Sequence, residues 1–259
     1  MAVTYRLDGD VAVLTLNRPD RYNAISQELC DQLVAGLARA SAEARAAVVT
    51  GAGKAFCSGA DLSDLMGEYE AGGPDLGPVI DRRFNPIVEA LLDVDVPTIA
   101  AVNGVAAGAG MGIALACDLR VMAEESFFLA AFIGLALVPD TGSTWFLPHH
   151  LGLSRAIEFT FTNRRLGAAE ASELGLAHRV VPADRVVAEA VGWATELADG
   201  HPPAFAATRR LLREAMSGNV RDALAAERAT QAELGAAPAH LEGMRAFLEK
   251  RPADFRSLT

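Results

Sequence analysis

The chain has 259 residues, 51% hydrophobic and 22% charged, with a formal net charge of -10 at pH 7. That composition supplies a packed core and excludes a disordered polymer. The acid excess excludes a nucleic-acid partner and a polybasic membrane contact, both of which need clustered Lys and Arg.

Compartment follows from similar reasoning. Cys30, Cys57 and Cys117 are odd in number and widely spaced, which suits a reducing cytoplasm and no disulfide framework. The N-terminus lacks the basic-then-apolar pattern of a signal peptide. No apolar run approaches the roughly 18 residues that span a bilayer.

In chain order, residues 3–7 and 11–16 alternate around Asp8-Gly9-Asp10 and predict a hairpin. Ser26 is placed to cap a helix to about residue 40, with Leu29, Leu33 and Leu37 on one face. A short buried strand over 46–50 ends in Gly51-Ala52-Gly53, and Asp61 can cap a helical turn through Leu62 and Leu65. The stretch 67–78, with four glycines and two prolines, predicts a loop, and 79–92 one helix. Residues 97–118 read as a buried strand (98–102), a glycine-rich turn and an apolar helix (110–117). Strands at 119–123, 127–129 and 179–181 follow, among helices at 154–161, 168–174 and 186–198. Past Pro202-Pro203 the pattern is helical throughout, at 204–216, 219–234 and 241–250. The fold class is therefore α/β, divided into a core over 1–200 and a helical region over 201–259.

The turn at 104–110 is a binding device made of backbone. Gly104, Gly108 and Gly110 leave main-chain atoms bare, and the first N–H groups of the helix behind them have no partner inside it. The spacing rejects phosphate motifs: Gly108, Gly110 and Gly112 do not make G-x-G-x-x-G, and Gly51-Ala52-Gly53-Lys54 is no P-loop. His149-His150 has no carboxylate or thiol at ligand spacing, so no metal site is expected. Ser58 lacks the G-x-S-x-G elbow of a nucleophile. Asp140, in Pro139-Asp140-Thr141-Gly142, admits two readings. It suits a turn or the N-cap of a helix at 143–146, or it is a carboxyl in apolar surroundings whose burial fits it for proton transfer.

Several motifs resemble those of the enoyl-CoA hydratase/isomerase, or crotonase, superfamily, and the likeness runs nearly the whole length. They are Asn17-Arg18-Pro19 with Asn23-Ala24, GKAFCSGADL over 53–62, the segment from Ala101 to Asp118, and AFLEKR over 246–251. The resemblance implies a ββα spiral with a helical C-terminal trimerisation region, assembled as a homotrimer or a hexamer. It also implies an acyl-CoA thioester as substrate, with no separate cofactor. The thioester oxygen would be held by the amides of Ala60 and Ala109, one from each strand–turn–helix unit. CoA and substrate would lie along Arg21, Ala24, Ser58, Ala60, Asp61, Leu62, Gly108, Gly110 and Phe132, with Phe247 and Lys250 approaching its adenine and phosphates.

Two departures from the family pattern bear on the reaction. Gly112 and Phe132 stand where hydratases carry their two glutamates, and neither can activate water. Leu137-Val138-Pro139-Asp140 resembles epoxyphenylacetyl-CoA isomerases and some enoyl-CoA isomerases, where this aspartate is the single acid/base. That likeness favours an isomerase that shifts a double bond or opens a ring epoxide. The alternatives are an enoyl-CoA hydratase of fatty-acid oxidation and a non-catalytic acyl-CoA-binding protein. Ala136 and Ser143 replace glycines usual in the pattern.

Overall fold

The computed structural model describes residues 1–70, 72–73 and 75–258. β1 (Val3–Asp8) and β2 (Val11–Leu16) form the expected antiparallel hairpin, in register from Val3↔Leu16 to Asp8↔Val11. α1 (Gln27–Glu43) starts at Ser26, whose hydroxyl accepts the Leu29 N–H, and buries Leu29, Leu33 and Leu37.

A repeated unit then builds two sheets. β3 (Ala46–Gly51) passes into β4 (Ala55–Cys57) and α2 (Leu62–Glu70). After α3 (Leu76–Arg83) and α4 (Asn85–Asp93), β5 (Thr98–Val102) passes into β6 (Val105–Ala107) and α5 (Ala109–Ala116). β7 (Leu119–Ala123) and β8 (Phe127–Leu129) lead to α6 (Ser143–Leu151). The chain continues through α7 (Leu153–Thr162), β9 (Arg165–Gly167), α8 (Ala168–Glu173), β10 (Arg179–Val181) and α9 (Val186–Ala198). The first strand of each pair joins a six-stranded sheet, β1-β2-β3-β5-β7-β10, and the second a four-stranded one, β4-β6-β8-β9. β3, β5 and β7 run parallel, as do β4, β6 and β8. The duplication visible in the sequence is thus a threefold spiral of strand pairs.

The sheets and the helices between them enclose one core. β3 and β5 are buried along their whole length, as parallel strands covered on both faces must be. On the far side of the larger sheet, Val186, Ala190, Ala194 and Ala198, four residues apart on α9, pack against Val11, Val48, Ile99 and Val121. α10 (Pro202–Ala215), α11 (Val220–Ala236) and α12 (Pro238–Glu249) complete the chain. Asp118 ties α10 to the core: one carboxylate oxygen accepts the Thr98 N–H and hydroxyl and the Arg209 guanidinium, 2.8–3.0 Å away.

Three expectations need correction. The helix expected at 79–92 is two, because Pro86 lacks an N–H and its ring clashes with the carbonyl four residues back; the chain bends at Phe84. The loop expected at 67–78 is narrower, since α2 runs to Glu70 and α3 starts at Leu76; residues 71 and 74 lie outside the described ones. β4, β6 and β9 are strands where the sequence pattern predicts glycine-rich turns or no strand at all. Among the described residues, no helix is long and apolar enough to cross a membrane.

Candidate active site

The two glycine turns at the ends of β4 and β6 lie against each other. A Cβ at Gly59 would fall 2.8 Å from the Ala107 carbonyl oxygen and 3.4 Å from the Ala109 nitrogen, so only glycine allows this approach. In the first turn, Ile25 donates to the Gly59 carbonyl at 2.7 Å and Asp61 donates to the Ile25 carbonyl at 3.4 Å. That bridge uses the amides on either side of Ala60 and leaves its N–H without an acceptor among the described residues.

The second turn frees an amide differently. Gly108 precedes α5 at φ 53°, ψ -125°, and Ala109 is the first helical residue, whose N–H has no intrahelical acceptor. Every residue of α5 is buried, so the Ala109 amide opens a helix whose dipole acts in a poorly solvated setting. Among the described residues each turn thus leaves one amide without an acceptor, Ala60 in the first and Ala109 in the second, where the two turns lie against each other. At the opposite ends of β4 and β6, Asn103 ties the β5–β6 connection to the β3–β4 connection: its side-chain oxygen accepts the Gly51 N–H at 3.1 Å and its amide donates to the Gly53 carbonyl at 3.0 Å.

Around the first turn the structure brings together Arg21, Ala24, Ser58, Asp61 and Leu62. The Ser58 N–H donates to the Tyr22 carbonyl at 3.0 Å, and Arg21 Nη1 donates to the Ser63 hydroxyl at 3.2 Å. The fully buried Asn23 side chain fixes this loop, donating to the carbonyls of Ala52 and Ala55 at 3.0 and 2.8 Å. Arg18 donates to the Ala24 carbonyl at 2.6 Å and to Asp61 Oδ2 at 2.9 Å. Burial pushes the Asp61 carboxyl up, but the Arg18 bond and charge, with the Ser63 and Asp64 amides, outweigh it and hold the group below its usual range. Phe247 and Lys250 are not brought to this loop within one chain. The tail's partners are α11, Asp10 and Asp199, and Phe247 is exposed.

The second turn carries the remaining candidates. Gly110 lies in the first turn of α5, directly on the Cys57 carbonyl. Phe132 is buried, its ring edge 3.8 Å from where a Gly108 Cβ would sit. Gly112 faces Thr141: a Cβ there would strike the Thr141 carbonyl oxygen and fall 2.9 Å from its Cβ and 3.0 Å from its Cγ2. The turn carrying Asp140 is thus pressed onto α5 at Gly112.

Asp140 does not cap α6. The N-cap position is Gly142, no side chain caps it, and Asp140 contributes only its carbonyl, to the Ser143 N–H at 2.9 Å. Its carboxylate accepts the Thr141 hydroxyl at 2.6 Å. Burial lifts the Asp140 carboxyl above the usual carboxylate range, and the Thr141 bond offsets this only in part. Thr141 and Arg18 are the site residues that motif reading did not single out. A threonine between an aspartate and a glycine carries no signal until its φ of 52° is known. Among the described residues no group of three or more His, Cys, Asp or Glu is placed to hold a metal.

Paired strands wound into two mostly parallel sheets, with glycine turns that meet and each leave one amide without an acceptor among the described residues, define the crotonase fold. Residues 6–257 match the family described as Enoyl-CoA hydratase/isomerase. The chain is 40% identical over 253 residues to the Rhodobacter capsulatus protein named "Probable enoyl-CoA hydratase", covering 98% of this chain and 97% of that one. It is 36% identical over 247 residues to the 1,2-epoxyphenylacetyl-CoA isomerase of Escherichia coli, covering 95% and 94%. A crystal structure of an enoyl-CoA hydratase from Polaromonas sp. JS666 superposes with a TM-score of 0.90 at 31% identity, over 98% and 99% of the two chains. The protein belongs to the enoyl-CoA hydratase/isomerase family.

Proposed function

We propose that the protein is an acyl-CoA isomerase in which Asp140 is the single acid/base. The observation that carries the reading is the contact at Gly112. The turn beside Asp140 fills the space a glutamate side chain would need, so α5 offers no carboxyl and Asp140 is left as the single one at a site where a hydratase needs two. The proposed substrate is an acyl-CoA thioester whose carbonyl oxygen is held by the Ala60 and Ala109 amides, with CoA along Arg21, Ala24 and 58–62. Ionised Asp140 takes a proton from C2 of a 3-enoyl thioester. The C–H electrons move into the C1–C2 bond and negative charge gathers on the thioester oxygen. Two fixed donors stabilise that charge most when it forms, and losing one typically costs roughly 2.7–4 kcal/mol of barrier. Protonated Asp140 then delivers its proton to C4, leaving the 2-enoyl thioester. The steps draw on no cofactor. Assembly as a trimer or hexamer, with Phe247 and Lys250 reaching a neighbour's CoA, belongs to the same proposal.

The 40% identity to a protein named as a hydratase favours a second reading, addition of water to a 2-enoyl thioester. One experiment separates the two. The protein and Asp140→Asn are incubated with a 3-enoyl-CoA and with a 2-enoyl-CoA, and products are resolved by chromatography. The isomerase reading expects double-bond migration by the parent, reduced by a factor on the order of 100 to 10,000 in Asp140→Asn. Migration that survives intact in the variant refutes it. Rapid hydration by the parent establishes the second reading. The 36% identity to an epoxyphenylacetyl-CoA isomerase makes a ring epoxide the next thioester to supply.

A further inference from the structure

The proton transfer just described makes no use of Thr141, yet Thr141 is the most constrained residue near Asp140. Its φ is 52°, in the left-handed region that β-branched residues avoid, and Gly142 follows at 75°. Only 1% of it is exposed. Such backbone persists only where the surroundings over-determine it, and here they do. The Thr141 carbonyl and Cγ2 methyl rest on the bare backbone of Gly112. The other substituent on the same Cβ, the hydroxyl, donates to Asp140 Oδ1 at 2.6 Å. With the methyl set against α5, the hydroxyl has one direction left, and that direction is the carboxylate.

We propose that Thr141 is a positioning residue: seated on Gly112, it orients the Asp140 carboxyl and stabilises its anion. The proposal rests on the reading of Asp140 as the acid/base. A hydroxyl bond to an ionised oxygen favours the charged form, which is the form that takes the proton. No charged side chain competes for that role on the packed elements. α5 carries no titratable group, and those of α6, His149 and His150, lie in its last turn, away from Asp140. Among the described residues, burial raises the Asp140 carboxyl while the Thr141 bond and Asp140's own backbone lower it, and no charged group takes part.

The test compares Thr141→Val, Thr141→Ser and Thr141→Gly by the pH dependence of kcat/KM for double-bond migration. Valine keeps the branched shape and loses the donor; serine keeps the donor and loses the methyl. Glycine loses both but adopts a left-handed φ without strain, so it decides the matter should the valine variant not fold. Loss of the donor is expected to move the acid limb upward by about one pH unit in the valine and glycine variants, given the usual strength of a hydrogen bond to a charged group. Serine is expected to leave the limb in place. An unmoved limb in the donorless variants overturns the proposal, and so does a serine variant shifted as far as valine. Asp140→Asn, run alongside, keeps the two ideas apart. Inactive Asp140→Asn with an unmoved limb in the others sinks only the positioning role, whereas active Asp140→Asn sinks the acid/base reading itself.

Discussion

Placing a glutamate at position 112 is the obvious way to bring a second carboxyl to this site, and the structure predicts that it fails. Consider Gly112→Ala first. Alanine in a helix gains about 1 kcal/mol over glycine from propensity alone. Its Cβ, however, would strike the Thr141 carbonyl oxygen and lie 2.9 and 3.0 Å from the Thr141 Cβ and Cγ2. These are backbone and branch-point atoms that cannot rotate away. Overpacking of this kind costs about 1–3 kcal/mol, and a backbone collision belongs at the upper end. The net loss is then about 2 kcal/mol, a fall in Tm of about 4–8 °C for a chain of this size. The relief available is a retreat of the turn, which carries Asp140 with it, so isomerisation falls in parallel. Gly112→Glu adds an unpaired carboxylate in a helix buried on every side and loses more. Thermal melts by circular dichroism and the two-substrate assay read both effects. A Gly112→Ala protein with unchanged Tm, or a Gly112→Glu protein that gains rapid hydration while keeping migration, refutes the packing argument.

Gly108→Ala meets room, since its Cβ would find nothing closer than 3.8 Å, but not a permitted backbone at φ 53°, ψ -125°. Relieving about 1–3 kcal/mol of strain turns the Ala109 amide, and kcat is expected to fall roughly 100-fold with KM little changed, as steady-state kinetics will show. Arg18→Ala leaves the Asp61 carboxylate, 5% exposed, without its ion-pair partner and is expected to cost about 3 kcal/mol in urea denaturation at pH 7. Asp61's pKa is depressed in the fold, so its stabilisation is present above the ordinary carboxylate pKa and lost as pH falls through the lower folded value. Arg18→Ala should abolish that acid-side slope. Asp140 has the opposite sign: its folded pKa is raised, so its ionised form destabilises the fold at neutral pH. Asp140→Asn is expected to melt higher than the parent at pH 7, with the gain vanishing as the parent's carboxyl protonates. A lower Tm at pH 7 would contradict the burial argument.

The strand–turn–helix units were legible because hydrophobic runs, glycines and caps each leave a local mark. Ser26 heads α1, and the uncharged run behind Gly108 is a wholly buried helix. What the chain conceals is anything set by two distant segments meeting. β4 and β6 are three residues long and are strands only because they pair with each other. Asp140 also read as a turn residue or cap, and only the hydrogen bond from Thr141 and the uncapped start of α6 show that its carboxylate engages Thr141 instead. Pro86 is the exception: its break in the helix is a local effect that apolar periodicity on both sides masked.

Position 112 cannot be exchanged freely in this chain. A side chain at 112 would collide with Thr141, and Thr141 sits there because it and Gly142 both take up left-handed backbone. Phe132 fills the other glutamate position with a buried ring against Gly108, so a carboxyl there would lose its packing and gain no partner. Residues in contact show interaction energies of about 0.5–3 kcal/mol beyond their separate effects. Substitutions at 112 and 132 are therefore coupled to their packing partners, and a carboxyl introduced at either position alone is expected to damage the fold before it alters the reaction. Identity over the whole chain is dominated by the sheets and helices that every member needs. For that reason 40% identity to a protein named as a hydratase and 36% to an isomerase carry less about the chemistry than the contact between Gly112 and Thr141.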